Sequence, residues 1–284
     1  LGPPTCLMSF FSAIFLGIVQ GLAEFLPISS SGHLAFFQTF FGLANVEEEN
    51  LFFDVLLHLG TLVAVFVAYW PEIKALILEF FTMIGLRKLP RGQKPDRLSR
   101  RMILYIIIAT LPLVLVLPIK DKVESLYTNS IFIGCAFLVT GTLLFISDAM
   151  NHGNKDLKTA TLLDVVIVGF GQALAVVPGL SRSGTTISCG LARGFSREFA
   201  VKFSFLMSIP AVLGANLLSL IDAAKTGIDW SLMPMYLAGV VTAAVSGYLA
   251  IRLLKYITQR GKFGGFSYYC WGAGILTLIL SLIK

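Results

Sequence analysis

Six stretches of this chain, at about 52–70, 101–118, 130–148, 198–221, 234–254 and 266–283, are apolar over the length a helix needs to cross a bilayer, roughly 20 residues. That pattern constrains the fold more than any other feature. Only 13% of the residues are charged, against about 25% in soluble domains, so the chain cannot cover a water-facing surface in proportion to its length. The expected class is an all-α integral membrane protein with six transmembrane helices. The four cysteines, Cys6, Cys135, Cys189 and Cys270, stand singly, without CxxC or Cys/His spacing, and read as packing residues rather than zinc ligands or disulfides. The lead LGPPTCL at 1–7 lacks the charged start of a signal peptide, and Met8 is a natural start. Residues 1–7 are expected to stand outside the fold, as a non-native or disordered lead, with 8–284 forming one polytopic domain.

Two further apolar stretches, about 9–42 and 160–195, are interrupted at their centres, by LPISSSG at Leu26–Gly32 and by PGLSRSG at Pro178–Gly184. Proline removes a backbone donor and glycine loosens a helix, so each reads as two half-helices around a polar tip. The two tips resemble each other. At an offset of 152, Gly17–Gly32 aligns without gaps on Gly169–Gly184 with seven of sixteen positions identical, among them Gln20/Gln172, Ser29/Ser181, Ser31/Ser183 and Gly32/Gly184. Chance likeness between apolar segments would not keep those polar residues in register. Repeat one is therefore placed at 8–148 and repeat two at 160–284. If each broken segment is re-entrant, three following spans put the second repeat on the opposite face, giving an inverted-topology repeat. The stretch 72–86 reads as a helix lying along the membrane surface.

Lysine and arginine set the orientation. Segment 71–101 carries eight of them, and 149–160, 193–202 and 252–262, on the same side by the span count, carry nine more. The opposite side holds Lys120, Lys122, Lys225 and Lys284, so the division is 17 to 4. The 17-residue side is expected to be cytoplasmic, with the first tip entering from outside and the second from the cytoplasm. The net charge of +6 follows from this asymmetry, which excludes reading it as nucleic-acid binding; membrane lipids are the expected surroundings, and the basic run 87–101 also favours anionic lipid.

Charged groups inside a bilayer are functional candidates by default. Here they are Glu24, His33 and Arg182, with His58 early in a span. Arg182 and the half-helix N-termini suit phosphate oxygens. A serine near a histidine suits nucleophilic catalysis, with His33 or Glu24 moving the proton. Ser31 is expected to cap the helix after the first break. His58 reads as a helix-packing residue and His152 as a loop residue.

These motifs, Gln20 and Glu24 in QxxxE, then LPISSSGH, then PGLSRSGTT at Pro178–Thr186, resemble the signatures of the bacterial undecaprenyl-diphosphate phosphatases of the bacitracin-resistance type. The resemblance runs from about Met8 to the end. It implies hydrolysis of a C55 polyprenyl diphosphate to the monophosphate, recycling the lipid carrier of cell-wall synthesis and conferring bacitracin resistance. It also implies a multi-pass protein of the bacterial cytoplasmic membrane, with the site opening to the outer face. By motif, Glu24, Ser30, His33 and Arg182 would be catalytic, and Ser29, Ser31, Ser181, Arg182, Ser183 and Thr186 would hold the phosphates. Members are assisted by Mg²⁺ or Ca²⁺; Glu24, and Gln20 through its amide, would be the ligands here, although an amide at the first motif position weakens a two-carboxylate metal site. The nucleophile stays open between Ser30, His33 and water, and a homodimer is compatible with the sequence. The rival reading is a lipid-phosphate flippase or transporter using the same paired tips.

Overall fold

The computed structural model describes residues 9–41, 51–89, 94–150, 153–226, 229–260 and 263–283. Residues 1–7 and His152 therefore lie outside the described residues. Among those described, regular structure is helical apart from an isolated bridge between Lys155 and Phe195. The principal helices are α1 (Phe10–Phe25), α2 (Ser30–Phe41), α3 (Leu51–Ala68), α4 (Trp70–Met83), α5 (Arg97–Thr110), α6 (Ser130–Ala149), α7 (Leu162–Leu174), α8 (Arg182–Ala192), α9 (Arg197–Thr226), α10 (Met233–Gln259) and α11 (Gly265–Ile283). Five helical stretches are long and apolar enough to cross a membrane, and a sixth if α3 and α4 are counted together. The axis bends by 92° between those two, at Tyr69, so the stretch expected along the membrane surface does not continue the direction of the span before it. The α5 span continues to Ile119 through a 3₁₀ stretch, Leu111–Ile119. Its two prolines, Pro112 and Pro118, cannot supply i→i−4 hydrogen bonds. Cys135, Cys189 and Cys270 are free thiols.

Glycine lets the broken segments sit backbone to backbone on the spans. A Cβ at Gly17 would come within 2.6 Å of the Gly239 carbonyl oxygen, and one at Gly169 within 2.7 Å of the Ala109 carbonyl oxygen. These two glycines are the repeat pair, and each packs on the second of the three spans of the other repeat: α1 on α10, α7 on α5. The successive contacts Gly17 with Gly239 and Gly21 with Ala243 run α1 parallel to α10. Helices α6 and α11 also meet at glycines but run antiparallel: Gly134 and Gly274 each face the other's carbonyl oxygen, and a Cβ at Gly141 would come within 2.9 Å of the Ser267 carbonyl oxygen.

Segments expected on one side of the membrane converge at one end of the bundle. Arg101 donates to the Lys158 and Ala160 carbonyls at 2.9 and 2.8 Å. Asp164, fully buried, takes Lys155 Nζ and Arg193 Nε, each at 2.9 Å. Asp148 accepts from Arg197 at 2.9 Å and from the Gly264 N–H at 2.8 Å. Arg100 meets the buried Glu79 at 2.6 Å, tying α4 to α5. These bonds gather the basic segments into one face.

Candidate active site

The two helix breaks lie against each other, and the same local chemistry builds each. Ser29 accepts the Gly32 N–H at 3.1 Å, and Ser181 accepts the Gly184 N–H at 3.1 Å. Each capping hydroxyl also meets the next serine but one, Ser29 with Ser31 at 3.3 Å and Ser181 with Ser183 at 3.2 Å. The cap of the first break is thus Ser29 and not Ser31, the residue expected. The reason is backbone: Ser29 sits at φ +70°, a left-handed conformation with which the helix starts at Ser30, two residues earlier than a Ser31 cap would allow, and Ser31 is free to reach across.

What Ser31 reaches is the other tip. Its hydroxyl accepts the Gly179 N–H at 3.3 Å, while Ser183 donates to the Leu26 carbonyl at 3.2 Å. Under the 152-residue offset these are the same peptide unit seen from each side. Pro27 has no N–H to give, so Ser183 uses the carbonyl instead. The supporting helices repeat the relation. Thr140 on α6 donates to the Gly179 carbonyl at 3.3 Å, and Cys270 on α11 donates to the Pro27 carbonyl at 3.5 Å. Thr140 also takes the Ser181 N–H at 3.2 Å.

On this matched scaffold the chemistry sits where the repeats differ: Glu24 opposite Val176, Ser30 opposite Arg182, and His33 opposite Thr185. The Glu24 carboxylate joins the two tips. Its Oε1 takes Arg182 Nη2 at 2.5 Å, and its Oε2 takes the Ser30 hydroxyl at 2.8 Å and the Gln20 amide N–H at 3.3 Å. Charge-assisted bonds of this kind are roughly twice as strong as neutral ones. Glu24 is almost closed off, with its side chain 8% exposed, whereas Arg182 keeps 20%. The guanidinium is the more accessible half of the pair.

His33 stands apart from that carboxylate. Its Nδ1 lies 2.7 Å from the Ser29 carbonyl oxygen and its Nε2 lies 2.7 Å from the Tyr269 hydroxyl. Thr186 bonds the Arg182 carbonyl at 2.8 Å and the Ser204 hydroxyl at 2.7 Å, and so ties α8 to α9. Ser29, Ser181, Ser183 and Thr186 are buried, while Ser30, Ser31 and Arg182 retain some exposure. His58 bonds within its own helix, to the Asp54 carbonyl at 3.0 Å. A crevice of about 400 Å³ between Leu76, Met102, Phe199 and Lys202 contains none of the tip residues.

Four contributors to the site carry no motif in the sequence: Thr140, Phe137, Tyr269 and Cys270, all on the long helices α6 and α11. The polar residues among them break otherwise apolar helices, but nothing in their spacing points to the tips.

For a divalent ion the fit is narrow. Among the described residues no group of three or more His, Cys, Asp or Glu side chains could hold one. Beside Glu24, however, the buried Gln20 Oε1 has no hydrogen-bond partner. One carboxylate and one amide oxygen suit an ion whose other ligands are phosphate oxygens and water.

An all-helical chain with several stretches apolar and long enough to span a membrane and an Arg–Glu–Ser cluster between two helix breaks defines a multi-pass membrane protein with a largely buried ion pair at its centre. The chain belongs to the bacitracin resistance protein BacA family, whose model matches residues 13–276. It is 44% identical over 277 residues to the undecaprenyl-diphosphatase of Alkaliphilus metalliredigens, spanning 97% of this chain and 100% of that one. It is 44% identical over 280 residues to the undecaprenyl-diphosphatase of Methanobrevibacter smithii, with 97% and 99% covered. It is 43% identical over 279 residues to that of Carboxydothermus hydrogenoformans, with 96% and 98% covered.

Proposed function

We propose that the chain is a membrane-embedded undecaprenyl-diphosphate phosphatase, which recycles the cell-wall lipid carrier and thereby confers bacitracin resistance. The observation that carries this is Glu24, which binds a nucleophile-type hydroxyl from the first tip and a guanidinium from the second. The family membership and the relatives' names support the substrate.

In the resting arrangement Arg182 and Glu24 neutralise each other. An arriving diphosphate gives the guanidinium phosphate oxygens to grip, and Glu24, relieved of its cation, becomes the acceptor for the Ser30 proton. Ser30 Oγ then bonds the terminal phosphorus as the bond to the bridging oxygen breaks, and the lipid monophosphate departs. Water attacks the phosphoserine, His33 takes the water's proton, and Ser30 recovers its own from Glu24. The products are the monophosphate lipid and inorganic phosphate. Ser29, Ser181, Ser183 and Thr186 hold the two tips in place, and Ser31 and the N–H groups starting α2 and α8 face the phosphates. A divalent ion, Mg²⁺ or Ca²⁺, would be held by Glu24 and Gln20 and would supply charge neutralisation on the phosphates.

The two broken segments are re-entrant, and the repeats are inverted in the membrane. The reciprocal Ser31–Gly179 and Ser183–Leu26 bonds and the paired Gly17 and Gly169 contacts support this relation. The basic end is cytoplasmic, which opens the site toward the outer face. A flippase or transporter would need an anion site but no hydroxyl aimed at a carboxylate, so the Ser30–Glu24 bond disfavours that rival. The test is release of phosphate from undecaprenyl diphosphate by purified protein in detergent, where no compartments exist. Release by the wild type supports hydrolysis. No release, from protein that nevertheless moves the lipid across vesicle bilayers, establishes the transporter.

A further inference from the structure

His33 is held at both ring nitrogens, and the partners differ in kind. A backbone carbonyl can only accept, so the 2.7 Å contact to the Ser29 oxygen places a proton on Nδ1. In the neutral imidazole Nε2 is then the basic nitrogen, and it accepts from the Tyr269 hydroxyl at 2.7 Å. The ring has little freedom to turn. The Phe137 ring stands edge-on to it at 5.1 Å, and the Tyr269 ring lies nearly parallel, 12° off, at 5.6 Å. The left-handed φ of +70° at Ser29 directs the carbonyl that fixes Nδ1. Burial differs sharply between the partners: His33 is 9% exposed and Tyr269 is 49% exposed. The charged groups of the neighbouring tips, Glu24 and Arg182, face each other and Ser30. From α11, the adjacent Cys270 thiol is directed to the Pro27 carbonyl.

We propose that Tyr269 is the residue through which His33 works, fixing Nε2 as the base and carrying the proton to it. This rests on His33 being the general base of the reading above. The reacting water gives its proton to the Tyr269 oxygen as the Tyr269 proton moves to Nε2. Water oxygen bonds phosphorus, the phenol is restored, and the imidazolium that forms keeps its Nδ1 proton on the Ser29 carbonyl. Tyr269 lies 236 positions from His33 and belongs to neither tip, so the site is completed by the last helix.

The test is Tyr269→Phe in the full chain, purified in detergent and supplied with undecaprenyl diphosphate. The change removes one oxygen from a half-exposed ring. The expected result is a kcat lower by about tenfold or more, with KM within twofold and the melting temperature unchanged. In the wild type labelled with ¹⁵N-histidine, His33 is expected to show a protonated Nδ1 and a hydrogen-bonded, unprotonated Nε2, and the Nε2 signal alone moves in Tyr269→Phe. Wild-type protein with the proton on Nε2 overturns the proposal without reference to any variant. If His33→Gln is slow while Tyr269→Phe turns over within twofold of wild type, the Tyr269 role falls and the His33 role stands. If His33→Gln itself turns over normally, the reading of His33 as base falls, and this proposal with it.

Discussion

Replacing Arg182 by alanine removes the guanidinium bonded to Glu24 and leaves, of the hydrogen bonds to that carboxylate among the described residues, those from Ser30 and Gln20 at 2.8 and 3.3 Å. Glu24 has only 8% of its side chain exposed, so water cannot make up the loss. Breaking a buried ion pair by deleting one partner costs about 3–5 kcal/mol. Arg182 is 20% exposed, and alanine leaves room for water, which places the expected loss at the lower end, about 3 kcal/mol. Glu24→Gln/Arg182→Ala removes both charges and leaves no charge buried and unpaired. The double variant should therefore recover at least half of that loss, because the penalty lies in the orphaned carboxylate and not in the missing contact. Thermal melting of the four proteins of the cycle, in one detergent and buffer, reads this directly. A double variant that melts no higher than Arg182→Ala would refute the reasoning and leave Arg182 as a residue whose packing, not its charge, supports the tips.

Other consequences follow from the same geometry. Ser30→Ala should lower turnover by about 100-fold or more while leaving melting within a degree or two, since its hydroxyl bonds only a neighbouring side chain. Gly169→Leu should lower the melting temperature by several degrees, an overpacking loss of about 1–3 kcal/mol, because its Cβ would sit 2.7 Å from the Ala109 carbonyl oxygen and backbone cannot step aside. Ser31→Ala and Ser183→Ala should each cost about 1 kcal/mol, read by the same melting assay. Chelation should lower phosphate release, with added Mg²⁺ or Ca²⁺ restoring it in the wild type and restoring less in Gln20→Leu; full activity in chelator would remove Glu24 and Gln20 from any metal role. A cysteine introduced at Lys94 should be labelled only after the membrane is opened, and labelling in intact cells would reverse the assigned orientation.

The spans, the two breaks and their kinship were legible because each rests on local composition. Apolar length, Pro and Gly at a helix centre, and repeated Gln, Ser and Gly are all properties of contiguous residues. Glu24, Ser30 and Arg182 were legible as charged or reactive groups in apolar sequence, and their meeting followed from pairing the tips. The direction of each side chain was not legible. Ser29 rather than Ser31 caps α2 because of a positive φ that a serine rarely adopts, and no propensity announces it. His33 faces Tyr269 rather than Ser30 because α11 packs against α6 at Gly134 and Gly274, a register set by tertiary contact. Thr140 and Cys270 form a pair only through that same packing. The two residues differ in type and lie 130 positions apart rather than 152, so the alignment that revealed the tips could not pair them.

The central claim is that one site is shared by two tips from different halves of the chain. Phosphate release at saturating undecaprenyl diphosphate tests it most directly, comparing Glu24→Gln from the first tip with Arg182→Ala from the second. Cys135→Ser, on an exposed position of α6, is the control. The account predicts that both tip variants lose about 100-fold or more in turnover, while the control stays within twofold of wild type. A wild-type rate from either tip variant would contradict it.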